Sequence, residues 1–316
     1  MKQYHPLLFV TVSAVLYGFG IPLAKALMAD ISPVSLAGLL YLGAFIGLSV
    51  FGFFGVKDSG KKVPFDPKEA PWLAGVILFG GIMGPIFLML GLSQTSAFSA
   101  SLFLNLEGLM TALVASAIFR EFTGKRFWIA LVCMTVAGLL LSWGDGSGGF
   151  SIIGPAYILL AMLFWALDNN LTRKIASIQP IGIAKVKCLF AGVINLGIAL
   201  MLSAKLVAGV SLLSAMLVGT FSYGISLVLF IYALRGWGAA RTGAFFSVAP
   251  FIGAVASVMI LNENIDWNLL PAFVLMAAGA WLIGSEKHAH GHCHGSAYHV
   301  HEHYHDDEHQ HEHEPS

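Results

Sequence analysis

The chain has 316 residues, 57% of them hydrophobic and 11% charged, with a mean hydropathy of +0.78 and a formal net charge of zero. A soluble domain carries roughly a quarter charged residues because its surface faces water, so this composition excludes a water-soluble globule. The zero net charge excludes a global basic field for nucleic acid and leaves each charge to be read by its position.

Crossing the hydrocarbon core takes about 20 mostly apolar residues as a helix, and only helices or closed barrels satisfy their backbone groups there. The apolar runs are continuous rather than alternating, which predicts an all-α integral membrane protein. Breaks at charges, prolines and polar clusters place ten spans, at 7–29, 34–56, 72–93, 97–119, 127–143, 152–171, 182–204, 211–234, 242–262 and 268–285. The first is too long for a signal-peptide core and reads as a retained span. Cys133 and Cys188 lie in apolar runs and Cys293 in the tail, which makes no disulfide framework. With the N-terminus in the cytoplasm, Lys2, Lys57, Lys61, Lys62, Lys68, Arg120, Lys125, Arg126, Arg173, Lys174, Arg235, Arg241 and Lys287 all fall on the cytoplasmic side. Among loop residues only Lys205 falls clearly outside, an asymmetry that puts both termini in the cytoplasm and the protein in the cytoplasmic membrane.

The chain also repeats itself. "YGFGIPLAKALMADISP" (17–33) resembles "WALDNNLTRKIASIQP" (165–180), matching Tyr17 with Trp165, Lys25 with Arg173 and, after one gap, Pro33 with Pro180. "LGLSQTSAFSASLFLNLEGLMTALVASAIFRE" (90–121) matches "YALRGWGAARTGAFFSVAPFIGAVASVMILNE" (232–263) without gaps, pairing Glu121 with Glu263. Two five-span halves follow, residues 1–146 and 147–285, ahead of a tail at 286–316. An odd number of spans per half turns the second half upside down. Such inverted repeats place a transporter's binding site between the halves, near the bilayer midplane.

On these residues the chain resembles the EamA type of the drug/metabolite transporter superfamily. The resemblance covers about 7–285 and rests on the Pro33 and Pro180 loops, the 93–121 segment, its mate ending "LNE" (261–263) and the five-plus-five layout. It implies a secondary permease in which the first four spans of each half line a central cavity and the fifth spans serve as scaffold. Where many relatives carry an Arg on the second span this chain has Tyr41, so the resemblance brings no substrate with it.

Charge inside a span costs about 2.5–3.5 kcal/mol on insertion scales, so it usually faces a polar cavity or a partner. Glu107 lies in the middle of "LFLNLEGLMTALVA" (102–115), with Thr111 on its own helical face and Asn105 to one side. There it can take up and release a proton during transport, or serve as a structural carboxyl bonded to a neighbouring helix. "WALDNNLTRK" puts Asp168, Asn169, Asn170 and Thr172 toward the inner end of the sixth span, either to contact substrate or to cap and solvate a helix end. Lys25, Lys185 and Lys187 sit near span ends, where snorkelling to the interface is the default. Lys185 and Lys187 point to different sides, so at most one readily faces the cavity. Arg241 reads as a positive-inside anchor, and Glu121 and Glu263 as local caps or ion pairs. Pro22, Pro85 and Pro250 each remove a backbone hydrogen bond within a span. Gly43 with Gly47, and Gly80 with Gly84, have the spacing of close helix packing.

The tail is of a different kind. From His288 to His313, eleven of 26 residues are His, interleaved with Cys293 and several carboxylates. His288, His290, His292, Cys293, His294, His299, His301, His303, His305, His309, His311 and His313 make a disordered, multi-site chelator of nickel, cobalt or zinc the natural expectation.

The expected protein is a permease for a small organic metabolite, with Glu107, Asn105, Thr111, Asp168, Asn169 and Lys185 as substrate or coupling residues and no required cofactor. The alternative is a transition-metal carrier using the tail as cytoplasmic chelator or sensor; spans without a single His, and a cavity flanked by lysines, speak against it. No nucleophile and base pair and no membrane HExxH motif suggests an enzyme.

Overall fold

A computed structural model describes residues 6–53, 67–119, 125–143, 152–172, 175, 180–205, 207–237, 239–263, 269–284, 288–294 and 297–303. Glu121, Arg173, Lys174 and the tail histidines His305, His309, His311 and His313 lie outside the described residues.

Among the described residues the membrane part is built of helices joined by short turns. The first apolar run forms α1 (Pro6–Gly18) and α2 (Gly20–Leu27), interrupted at Phe19, and α3 (Pro33–Phe53) follows. A 3₁₀ turn at Pro67–Glu69 leads into α4 (Ala70–Val76), a π-helical stretch (Ile77–Met83) and α5 (Gly84–Ser93). Next come α6 (Ala97–Phe103), α7 (Leu106–Phe119), α8 (Lys125–Trp143), α9 (Ile153–Thr172) and α10 (Pro180–Met201). α11 (Gly209–Val218) runs through a second π-helical stretch (Gly219–Ile225) into α12 (Ser226–Trp237), and α13 (Ala239–Phe246), α14 (Ala249–Leu261) and α15 (Leu269–Gly284) close the membrane part. Large apolar side chains such as Val132, Leu139, Val193, Leu213, Val274 and Trp281 point outward. Hydrocarbon is the solvent that such a surface fits.

Seven helical stretches among the described residues are long and apolar enough to cross a membrane, and Ala249–Leu261 and Leu269–Leu282 are shorter apolar helices. The sixth expected span coincides with α9, which is not among the seven, its hydropathy lowered by Asp168, Asn169, Asn170 and Thr172 at its end. The ninth is cut short by the turn at Ser247 and Val248 that separates α13 from α14. Within the tail, expected to be disordered, β1 (His288–His294) and β2 (Ala297–His303) pair antiparallel, with His290 opposite His301 and His292 opposite His299.

Glycine sets how closely the helices approach. At Gly43 an added Cβ would meet the Met216 carbonyl, and at Gly219 the Leu40 carbonyl, so α3 and the second π-helical stretch touch backbone to backbone. Gly38 and Gly192 do the same for the crossing of α3 and α10. Polar groups fasten the contacts: Ser13 Oγ donates to the Ser226 carbonyl at 2.7 Å, and Ser226 Oγ returns a bond to the Ser13 carbonyl at 2.9 Å. Around this centre α1 packs on α12, α5 on α9, α6 on α14, α7 on α9 and α8 on α15.

The π-helical stretches free backbone carbonyls by widening the turn. Pro85 adds to this at the first one, because its missing N–H removes a backbone donor where the stretch ends. Asn195 Nδ2 donates to the Gly81 carbonyl at 3.1 Å. The Gly80 carbonyl next to it accepts from Tyr41 OH at 2.9 Å and from Trp165 Nε1 at 3.2 Å. Three helices are thus fixed to one irregular turn deep in the molecule.

Candidate functional site

Glu107 does not sit in the middle of a continuous helix. The run expected as one span breaks at Leu104 and Asn105, and Glu107 lies in the first turn of α7. Asn105 Nδ2 and the Asn105 backbone N–H both donate back to the Leu102 carbonyl at 3.1 Å, at the end of α6. A carboxylate in a first turn sits at the positive end of the helix dipole. The break therefore gives the acid a favourable place inside an apolar span.

Its partner comes from α9. Asn169 Nδ2 donates to Glu107 Oε1 at 3.0 Å and to Thr111 Oγ1 at 3.2 Å. Asn170 Nδ2 donates to the Thr111 carbonyl at 3.2 Å and to its own helix at the Ala166 carbonyl at 2.8 Å. One turn of α9 is thereby laid against α7.

Asp168, on another side of the same turn, pairs with Lys187 of α10. Lys187 Nζ donates to Asp168 Oδ2 at 2.7 Å, and Thr172 Oγ1 donates to Oδ1 at 3.2 Å. The side chains are 22% and 6% exposed respectively, so the pair is largely out of solvent. Gly80 makes the approach possible, since a Cβ there would run into the Asp168 carboxylate. Gly84, one turn on, gives the Trp165 indole its room in the same way.

These groups face a cavity of about 560 Å³, a size that suits a small organic molecule. Glu107, Asn105, Asp168, Asn169 and Lys187 form its charged and amide wall. Tyr17, Tyr41, Trp165, Tyr223, Phe230 and Phe246 form its aromatic wall. The rings support one another, with Tyr17 5.3 Å from Phe246 and 6.1 Å from Tyr223 between centroids.

Of the residues expected at the site, Glu107, Asn105, Asp168 and Asn169 line the cavity and Thr111 stands behind it, bonded to Asn169. Lys185 does not line it; Lys187, two residues on and 100° per residue around the helix, does. Lys25 Nζ donates to the Leu92 and Thr95 carbonyls at 2.6 and 2.9 Å, at the turn that ends α5. Glu263 is a cap, but not a local one: its carboxylate accepts from Ala97 N at 2.7 Å and Phe98 N at 2.9 Å. Sequence reasoning did not assign the aromatic wall to the site. Two signals for it were present: Tyr17 and Trp165 are repeat partners, and Tyr41 stands where relatives of the resembled family carry a charge. Among the described residues no group of three or more His, Cys, Asp or Glu is placed to hold a metal ion.

The EamA-like transporter family model matches residues 6–143 and again 152–285. An uncharacterized transporter of Methanothermobacter thermautotrophicus is 25% identical over 302 residues, covering 90% of this chain and 87% of its own. An uncharacterized transporter of Clostridium kluyveri is 22% identical over 284 residues, covering 86% of this chain and 91% of its own. A protein known from a crystal structure superposes with a TM-score of 0.62 at 19% identity, over 88% of this chain and 95% of that one, a likeness of fold.

Proposed function

This chain belongs to the EamA-like transporter family, and we propose that it is a secondary active transporter moving a small organic metabolite across the cytoplasmic membrane by alternating access. The observation that carries the reading is the cavity: a pocket of about 560 Å³ within a helical membrane protein, holding an amide-bonded acid and a desolvated ion pair. Charged groups inside a membrane are expensive and mark pathways for substrate or protons.

In this reading ten spans form two inverted halves with both termini in the cytoplasm. Support comes from the family match, which falls once on each half. It comes also from the π-helical stretches, since Ile77 and Gly219 are partners in the same register that pairs Leu90 with Tyr232. The packing partners exchange accordingly: α3 of the first half lies on the second π-helical stretch, and α10 of the second half lies on the first.

Substrate occupies the cavity with its apolar body against the aromatic wall. A polar or ionised group on it exchanges with the Asp168 and Lys187 pair, and Glu107 is the coupling acid. The competition between a proton and substrate for one buried carboxylate links the two fluxes. A transition-metal carrier is the weaker reading: among the described residues, those lining the cavity include Lys187 and no His. The tail composition supports metal binding at the cytoplasmic face, separate from the transported solute.

The test is reconstitution of the wild type and Glu107→Gln into vesicles with an imposed pH gradient and a panel of amphipathic metabolites. The expected outcome is gradient-driven uptake by the wild type, and a Gln variant that inserts normally and shows no gradient-driven flux. Equal flux in both would remove Glu107 from the mechanism.

A further inference from the structure

The two broken spans of the repeat differ in a way that assigns a gate. α6 and α13 are partners in the ungapped register, Ala97 with Ala239 and Phe103 with Phe245. Every residue of α6 is buried. Phe103 is 1% exposed, whereas its partner Phe245 is 48% exposed. Gly243 and Phe246 of α13 line the cavity, and a Cβ added at Gly243 meets nothing within 4 Å. Among the described residues none of α6 lines the cavity, whereas Leu104 and Asn105, just beyond it, do. Among the described residues, then, α13 contributes to the cavity while its partner α6 is packed into the protein.

The far end of α6 is held from two other helices. Lys25 of α2 places its ammonium on the Leu92 and Thr95 carbonyls, at the C-terminal end of α5. Glu263, just beyond α14, places both carboxylate oxygens on the first backbone N–H groups of α6. Each charge complements the helix end it touches. Cation and anion thus clamp the two sides of the turn at 94–96. This segment is not fully satisfied: Thr95 Oγ1, Ser99 Oγ and Ser101 Oγ are buried without a hydrogen-bond partner. Buried unpaired hydroxyls are costly, so the closed arrangement holds less strongly than its burial suggests.

We propose that α6 is the gate closing the cavity on the side opposite α13, with the Leu104–Asn105 break as its hinge and Lys25 and Glu263 as its latch. The inference rests on the transport reading and adds to it a conformation closed at α6 and open beside α13. Opening on the other side releases the two charged clamps and swings α6 away from α14, while α13 closes.

Cys188 lines the cavity and reports on access to it. The full chain carrying Cys133→Ala and Cys293→Ala is placed in vesicles of known orientation, and a membrane-impermeant maleimide is applied from either face. Glu263→Gln and Lys25→Met are each expected to raise labelling of Cys188 from the face opposite the tail by about tenfold, and to slow it from the tail face, as a shifted two-state equilibrium requires. Glu263→Asp is expected to restore the wild-type pattern. Labelling unchanged in both variants, with flux intact in the parent, overturns the latch and leaves the transport reading standing. Variants that no longer elute as the parent does overturn it too, since the pair is then a structural staple. Labelling from neither face, with no flux in the parent, overturns the transport reading itself.

Discussion

Asp168 and Lys187 are the most strongly interdependent pair of side chains in the cavity wall. Removing one partner of a desolvated ion pair leaves the other charge without compensation, at a cost of about 3–5 kcal/mol for a fully buried pair. Lys187→Met is therefore expected to destabilise the protein by about 3 kcal/mol, toward the lower end because the lysine keeps some exposure. Asp168→Asn with Lys187→Met should recover most of that loss in a thermal melt while remaining inactive in transport. Recovery of transport along with stability would show that the pair holds the helices and touches no substrate. Glu107 differs in kind, because its partner is a neutral amide and its helix supplies a dipole. Glu107→Gln consequently tests coupling with little change in folding.

Three apolar runs in this molecule are interrupted rather than continuous. The breaks at Phe19, at Leu104 and Asn105, and at Ser247 and Val248 put backbone ends at or near the cavity. Pro22 and Pro250 stand close after the first and last of these breaks, so the sequence marked them. Nothing comparable marks the break before Glu107, where the flanking residues are good helix formers and only Asn105 offers a local cap. The π-helical stretches depend on glycine, and so does the packing of α3. Gly43→Val forces a branched side chain into the Met216 carbonyl, and a cost of 1–3 kcal/mol or somewhat more is expected for such overpacking, about the range for added methylenes in a full core. The check is loss of the monodisperse species in detergent, with Gly197→Val, where a Cβ meets nothing within 4 Å, as the tolerated control.

For the whole molecule, helical half and tail are separable by their chemistry. Removing residues 288–316 is expected to abolish most binding of nickel or zinc to the purified protein and to leave its melting temperature and metabolite flux unchanged. Undiminished metal binding after the deletion would sink the chelator reading, and a lost metal flux would revive the metal carrier. Composition and periodicity alone determined that this is a multi-pass helical membrane protein, because a chain with so few charges has only lipid to face. They also picked out Glu107, Asp168 and Asn169, since polar groups in apolar runs are legible one residue at a time. Only the tertiary structure decided that Lys187 rather than Lys185 enters the cavity, that Lys25 and Glu263 clamp a turn far away in the chain, and that six aromatic rings line one cavity. The reason is physical: a hydrophobic run encodes that a segment is buried in lipid or protein, and glycine spacing marks a face for close packing, but which neighbour that face meets is set by contacts between segments far apart in the chain.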